Sequence, residues 1–402
     1  MDFSLVDLDE DHRVFAEEVR AFFDEHVTEE VHAHERETGD GFDEKIHRGL
    51  GAKGWLMPTW PVASGGIGAD PLTVRILELE YSRARTPSVT LGTTRLVAGA
   101  VEMFAGEDLA SEVLPLVASG DVRFCLGYTE PDGGSDIAAA RTRAVRDGDE
   151  WVINGAKVFT TGAHNCQYTF LITRTDPDLP KHKGLTMFLV PLHTPGVEIS
   201  PIRTFSGERT NMVFYSDVRI ADRYRLGGVN EGWSVLHGPL DAEHSVGTDS
   251  ASGLDDLSIG VSFVHALENA LDAALSWANT STLPDGTHPI DSPLVRYRLG
   301  KVAVDIEAAL STPGPMGRVK GSDALVRGAA DLLDLVGPAA LLPHGADGAV
   351  GGGDIDFAHR YAQGTATYGG TVEVFRTIIA QHVLGLPRPE YPGRKFLASA
   401  QR

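Results

Sequence analysis

The hydrophobic period of this chain changes twice along its length, and that double change limits the folds open to it. From Asp11 to about Gly120 the apolar residues recur at helical spacing: Val14, Phe15, Val19, Phe22 and Phe23 form one stripe, and Leu72, Ile76, Leu77 and Tyr81 another. The run "LVAGAVEMF" continues the style, and "PTWPVASGGIGADP" between the stripes is a proline and glycine loop. From Val122 to about Leu226 the period is two. "RFCLGYTE", "TRAVRDGDEWVING", "AKVFTT", "QYTFLITR", "GLTMFLVPL", "VEISPI" and "NMVFYSDVRI" read as short strands, with "DGD" and "NG" as hairpin turns. From Trp233 onward helical spacing returns in four or five segments, and the tail "YPGRKFLASAQR" reads as a loose end. Helices, strands, then helices predict an α+β chain: an N-terminal helical domain over 1–121, a β domain over 122–227 and a C-terminal helical bundle over 228–402. A chain of 402 residues also exceeds what one hydrophobic core usually organises.

Charge and cysteine usage narrow the function. A formal net charge of -21 opposes binding to polyanions, so nucleic acid is not an expected partner. Cys125 and Cys166 are too few for a disulfide framework or a four-thiolate zinc site, and no metal is expected. The start, "MDFSLVDLDEDH", is acidic where a signal peptide would be basic, and no apolar run approaches the roughly 18 residues that suggest a membrane helix. A cytoplasmic location without membrane association is the expectation. His32 and His34 in "VHAHERE" sit two apart on a predicted helix and so on different faces, which suits a solvated surface better than a metal site. "GADGAVGGGD" follows no predicted strand and reads as a loop rather than a dinucleotide site, and "KHK" at 181–183 reads as an exposed loop.

Two stretches carry chemistry. "GYTEPDGGSDIAAARTRAVRDGDEWVINGAKVFTTGAH" places a glycine-serine turn after one strand and a threonine pair after a hairpin. Gly133 and Gly134 allow close approach of backbone amides to a ligand, Ser135 adds a hydroxyl, and the threonines add donors. Such a surface suits a phosphate or a flavin edge; taken alone, the turn is equally a hairpin loop. "ATYGGTVEVFRTIIAQHVLGLPR" starts with Gly369 and Gly370 and runs into a helical pattern that Thr371 can cap. It is either a glycine turn before a core helix or a helix start whose N–H groups are open to a ligand.

The first of these stretches resembles the signature of the acyl-CoA dehydrogenase family. The likeness extends through "KHKGLTMFLVP", "TPGVEISPIRT", "VFYSDVRI" and "GWSVL" to "GGTVEVFRTIIAQHVLGLPR", nearly the whole chain. The resemblance implies a helical domain, an antiparallel β-barrel-like domain and a C-terminal four-helix bundle, with FAD bound between the β domain, the bundle and a neighbouring subunit. By position, Tyr128 and Thr129 would lie against the flavin, Gly134 and Ser135 would meet the diphosphate, and Phe159 and Thr161 would cover the other face. Thr371 and Glu373 would approach FAD from the last helix; their plain alternatives are a helix cap and a solvated charge. Ser135, Asp241, His244 and Gly370 are expected to line the substrate.

The implied reaction removes a proton next to the thioester and passes a hydride from the following carbon to the flavin, giving a trans-2-enoyl-CoA. Many members carry the base where this chain has Gly369; others carry it on the first helix after the β domain, in a pattern resembling Asp241-Ala242-Glu243-His244. Trp233, Leu236, Leu240, Glu243 and Val246 are spaced three, four, three and three apart, so Glu243 belongs to the apolar stripe of its helix. Burial there disfavours its charged form and raises its pKa toward that of a general base; a buried glutamate satisfied by a partner is the structural alternative. The resemblance gives Gly369 a second task, donation from its backbone N–H to the thioester carbonyl.

Departures from the family cluster on what one subunit offers another. His244 replaces an arginine, Asp334 replaces a glutamine, and "STLPDGTHPIDSPLVRYR" lacks the arginine that reaches a neighbour's FAD. A shorter path through Ser311 to Pro315 stands where relatives have a longer helix. The combination resembles the α subunits of heteromeric acyl-CoA dehydrogenases that act on steroid side chains. The expected partners are an acyl-CoA, an electron-transfer flavoprotein and a related subunit or a second copy of the chain. A non-catalytic scaffold subunit is the alternative, with a flavin oxidase or monooxygenase on the same scaffold below it.

Overall fold

The structure, a computed structural model, describes residues 7–243, 259–312 and 314–387, without the side chains of 238–243 and 259. The chain divides into two compact units, residues 1–256 and 257–402.

The first unit opens with six helices: α1 (Glu10–His26), α2 (Glu29–Thr38), α3 (Glu44–Ala52), α4 (Pro71–Arg83), α5 (Leu91–Phe104) and α6 (Glu107–Ser119). Three of their starts follow the side-chain capping rule: Asp9, Asp43 and Asp70 each accept a hydrogen bond from a backbone N–H of the first turn. Their apolar faces, with Val19, Phe22 and Phe23 from α1 and Leu77 from α4, are buried in one core. Eight strands follow: β1 (Phe124–Gly127), β2 (Arg143–Asp147), β3 (Glu150–Lys157), β4 (Tyr168–Arg174), β5 (Leu185–Pro191), β6 (Val197–Arg203), β7 (Arg209–Ala221) and β8 (Arg225–Leu226). They form a sheet in the order β6-β7-β3-β2-β4-β5-β8, and β1 pairs with β4 off this path. Most pairings are antiparallel, as expected, but β1–β4 and β2–β4 are parallel.

The two turn signals part company. "DGD" does join β2 to β3, whose residues Asp147 and Glu150 pair. "NG" is no turn: Asn154 and Gly155 lie inside β3, where the register with β7 shifts and Gly155 adopts φ 151°. The Asn154 side chain bonds Asp217 on β7 and pins this bulge. A glycine next to an asparagine thus serves a close approach, since a Cβ at Gly155 would sit 2.6 Å from the Thr142 hydroxyl.

α7 (Gly232–Glu243) packs on α5 and β5 within the first unit, although its sequence pattern groups it with the C-terminal bundle. Val235 and Leu236 are buried in the same core as the N-terminal helices.

The second unit holds α8 (Ile259–Thr280), α9 (Pro293–Leu310), α10 (Gly314–Val336), α11 (Asp354–Thr365) and α12 (Val372–Ile378), which a π-helical turn, Ile379–Val383, extends. Helical segments from Trp233 onward therefore number six among the described residues, more than the four or five expected. α10 packs against α8, α9, α11 and α12. Small residues allow this: a side chain at Gly321 would meet the Gly260 carbonyl at 2.7 Å, and one at Gly328 the Leu267 side chain at 2.8 Å. Only residues 311–313 separate α9 from α10, so the connection expected over 311–315 is tighter than the sequence suggests, and Pro315 is buried within the start of α10.

Candidate active site

Two loops of the first unit bring together most of the residues singled out in the β domain. β1 delivers Tyr128, Thr129 and Glu130, and β3 delivers Lys157 to Thr161. The Val158 N–H donates to the Thr129 carbonyl at 2.9 Å and clips the two exits together. Beneath that clip lies a buried ion pair. Lys157, 0% exposed, places Nζ 2.8 Å from Glu130 Oε1 and 3.3 Å from the Tyr128 carbonyl. Glu130 also accepts from the N–H groups of Arg141 and Thr142 at 2.7 and 2.8 Å. Burial pushes the Lys157 ammonium down to about 8 against the pull of Glu130. For Glu130 burial acts upward, but the Lys157 charge and the donated hydrogen bonds hold its carboxyl below the usual range.

Beyond Glu130 the chain turns back on itself. Glu130 and Gly133 exchange both backbone hydrogen bonds at 3.0 Å, which leaves Gly133, Gly134 and Ser135 on an exposed turn. A Cβ at Gly133 would meet nothing within 4 Å, and one at Gly134 only the Thr129 methyl at 3.4 Å. The face is open for a ligand to lie against the backbone. Asp136, at the end of the turn, pairs with Lys181 at 2.5 Å.

Phe159 is the residue that no structural need explains. Its φ is 57°, a left-handed conformation that costs a bulky side chain energy, and its ring is 63% exposed. The loop that imposes this geometry is held from behind. Thr160 is buried, its N–H donates to the Asn211 carbonyl at 2.9 Å, and its carbonyl accepts from Asn211 Nδ2 at 3.1 Å. The Thr161 hydroxyl meets that of Thr210 at 2.9 Å. Asn211 Nδ2 also meets His164 Nδ1 at 3.2 Å, and His164 Nε2 meets Asp40 at 3.0 Å. Among the described residues the buried Thr160 hydroxyl has no hydrogen-bond partner. A strained, exposed ring beside an open glycine turn and three hydroxyls fits an extended planar ligand with a polar edge and a phosphate, the shape of a flavin dinucleotide.

On α7, Trp233 packs against His182 and His237 with centroids 4.6 and 4.9 Å away. "KHK" is exposed as expected, yet its histidine packs on Trp233 of this helix. Asp241 and Glu243 belong to the last turn of α7, but their side chains, and the whole of His244, lie outside the described residues.

In the second unit Thr371 caps α12, its hydroxyl accepting from the Val374 N–H at 3.2 Å, and Glu373 is exposed in the first turn. Gly369 and Gly370 take φ of 51° and 92°, and Gly369 is exposed. The paired glycines thus have a conformational reason, and a Cβ at Gly370 would come 2.9 Å from the Phe375 ring.

Sequence reasoning missed several residues. Glu130 and Lys157 stand inside the quoted motif without a role there, no motif marks the Asp40–His164–Asn211 chain, and none marks Arg318, which bonds the carbonyls of Thr365, Tyr368 and Gly370 ahead of α12. One signal was available for the last: Arg318 falls at helical spacing with the buried Gly321, Ser322 and Leu325 of α10. No group of three or more potential metal ligands occurs among the described residues, and no helix there is long and apolar enough to cross a membrane.

The chain is similar to known proteins over most of its length. Residues 9–121 match the family model for the acyl-CoA dehydrogenase N-terminal domain, and residues 125–218 that for the acyl-CoA dehydrogenase middle domain. Acyl-CoA dehydrogenase FadE26 of Mycobacterium tuberculosis is 31% identical over 361 residues, which cover 84% of this chain and 86% of that one. Among solved structures, the ChsE4-ChsE5 complex from Mycobacterium tuberculosis aligns with a TM-score of 0.81 at 29% identity, covering 97% of this chain and all (100%) of its counterpart. The Tcur3481-Tcur3483 steroid ACAD aligns with a TM-score of 0.79 at 28% identity, over 97% of this chain and 100% of that one.

Proposed function

The chain belongs to the acyl-CoA dehydrogenase family, a family of oxidoreductases, and from that premise we propose that it carries out the FAD-dependent α,β-dehydrogenation of an acyl-CoA thioester to the trans-2-enoyl-CoA. The observation that carries the reading is Phe159, a ring held exposed in a strained conformation beside an open glycine-serine turn. By the family resemblance, Tyr128, Thr129, Gly134, Ser135, Phe159, Thr161, Thr371 and Glu373 would hold the cofactor. When bound, FAD accepts the hydride that leaves the β-carbon. The chain's own residues do the rest: Glu243 takes the α-proton, and the Gly369 N–H donates to the thioester carbonyl where negative charge develops. Ser135, Asp241, His244 and Gly370 line the substrate in this reading. Likeness to a steroid ACAD supports a bulky acyl group, for which a glycine at 369 leaves space. An electron-transfer flavoprotein is the proposed acceptor. Two free, buried cysteines suit a reducing, cytoplasmic setting. The test is the absorbance spectrum of the purified native assembly before and after anaerobic addition of acyl-CoAs. A colourless assembly with no bound flavin would overturn the proposal.

Phe159 offers a sharper check. In Phe159→Gly the left-handed strain, about 1–2 kcal/mol, disappears, while the glycine adds roughly 0.5–1 kcal/mol of unfolded-state entropy. The flavin-free protein is expected to melt as the native one does, because so exposed a ring buries little. Flavin retention, read by dialysis and absorbance, is expected to weaken by about tenfold. Unchanged retention would remove the ring from the site.

We further propose a heteromer. The arginine that relatives lend to a neighbour's FAD is missing, and the two nearby candidates are engaged at home. Arg296 donates to the Ile290 and Asp291 carbonyls at 2.8 and 2.9 Å, and Arg298 binds Asp331 at 2.7 Å and Asp334 at 2.8 Å. A lost charge-assisted contact is about 1.5–3 kcal/mol, or roughly ten- to a hundredfold in affinity. The chain expressed alone is expected to retain little flavin, and coexpression with a related subunit to restore it to about one per pair of chains. The ChsE4-ChsE5 neighbour, itself a complex, supports this arrangement. A homo-oligomer with one FAD per chain and full activity would refute it. A scaffold role, the second reading, predicts flavin without bleaching by any acyl-CoA.

A further inference from the structure

Arg318 of α10 is the largest fully buried side chain among the described residues, 1% exposed. Its guanidinium lies over the rings of Phe263 and Phe375, 4.8 and 5.2 Å from their centroids. Nη2 shares its two N–H groups among three backbone carbonyls, that of Thr365 at the end of α11 at 2.8 Å and those of Tyr368 and Gly370 in the loop before α12 at 2.7 and 3.1 Å. Burying a cation is costly unless it is hydrogen-bonded, and here its bonds go to the turn that leads into α12.

The shortest of the three bonds shows why it matters. The Tyr368 carbonyl and the Gly369 N–H are the two ends of one peptide group. In a trans peptide they point in opposite directions, so a guanidinium seated on the carbonyl turns the N–H away from the bundle interior. The same bond draws electron density from the amide nitrogen and strengthens the N–H as a donor. Gly369 and Gly370 have no side chains to fix their left-handed conformations, and the bond to the Gly370 carbonyl fixes the peptide on the other side.

We propose that Arg318 is a positioning residue for the dehydrogenation: through the Tyr368–Gly369 peptide it aims and polarises the N–H that meets the thioester carbonyl. The inference rests on the acyl-CoA reading of the site. It assigns the transition-state stabilisation to a residue that touches neither substrate nor cofactor.

The experiment uses the native assembly with trans-2-octenoyl-CoA labelled with 13C at the thioester carbon, and reads the bound carbonyl stretch by infrared difference spectroscopy. In the native protein the stretch should fall relative to free ligand. A native protein that binds neither this ligand nor a carbonyl-labelled 2-enoyl-CoA with a bulky, steroid-type acyl group, or that binds without the shift, would overturn the acyl-CoA reading itself. In Arg318→Met the shift should shrink, kcat with a saturated acyl-CoA should fall by about ten- to a hundredfold, and KM and flavin content should stay within about threefold of native. Arg318→Lys, which keeps the cation, should recover most of both. If Arg318→Met does not accumulate as folded protein, Arg318→Gln, of similar length with an uncharged donor, takes its place with the same expectation. A native shift that persists undiminished in the uncharged variant, together with native kcat, would overturn the role of Arg318 while leaving the proposed reaction intact.

Discussion

Glu243→Gln is expected to keep its flavin yet slow flavin reduction by acyl-CoA by about 10²–10⁴-fold, the range that a positioned general base contributes. The amide has nearly the shape of the carboxylate and cannot accept the proton. The expectation follows from the helix: Val235 and Leu236 of α7 are buried, and Glu243 continues the stripe that begins at Trp233 and Leu236. The side chain itself lies outside the described residues; its spacing predicts a partly desolvated carboxylate, and desolvation would suit it to take the α-proton. In the native protein the rate of reduction should rise with pH as this group loses its proton, and in the variant that limb should vanish. The measurement is anaerobic rapid mixing with an acyl-CoA, followed by flavin absorbance. Near-native rates in the variant would place the base on another residue.

Lys157→Met is expected to be among the most destabilising single substitutions in the first unit, at about 3–5 kcal/mol, because it leaves the Glu130 carboxylate buried without its cation. The double variant Glu130→Gln/Lys157→Met should recover more than half of that loss. The pH dependence has a definite sign. Lys157 gives up its proton at about 8 when folded, against an ordinary lysine value of 10.5, so the cost of burying its charge is fully present below about 8 and is relieved as pH rises from there toward 10.5. Glu130, held below its usual value of 4.5, contributes stability that is present above 4.5 and lost as pH falls through its lowered folded value. In Lys157→Met the carboxyl loses its main charge partner and its pKa rises, so the gap between variant and native should be widest near neutrality and narrow in acid. Thermal melts of both proteins across that range measure it. A variant that melts with the native protein at neutral pH would show that the pair is replaceable.

What the sequence made legible depended on how locally each feature is determined. Helix and strand runs follow from side-chain periods over a few residues, and the order helices, strands, helices was readable for that reason. The Thr371 cap was readable too, since hydroxyl and N–H lie on one turn. Asn154-Gly155 misled because the same dipeptide serves a tight turn or a bulge, and only the partner strand decides. Glu130, Lys157 and Arg318 were silent for a related cause: a charged residue in a string gives no sign that distant backbone will enclose it. The cofactor and substrate assignments came through resemblance, with Phe159 adding a physical argument that only its backbone angle could supply.

The parallel pairing of β1 with β4 bears on how the chain comes to have a site at all. β2 and β3 meet across a short turn and can form as soon as they are made. β1 cannot: its four residues, Phe124 to Gly127, wait for Tyr168 to Leu171. Closing that longer loop carries a larger entropic cost, so the join is expected to come late in folding. On a ribosome, Tyr128 and Thr129 emerge well before the strand that aims them. A chain cut between the motif and β4 would keep every letter of the glycine-serine motif and lose the strand that anchors it.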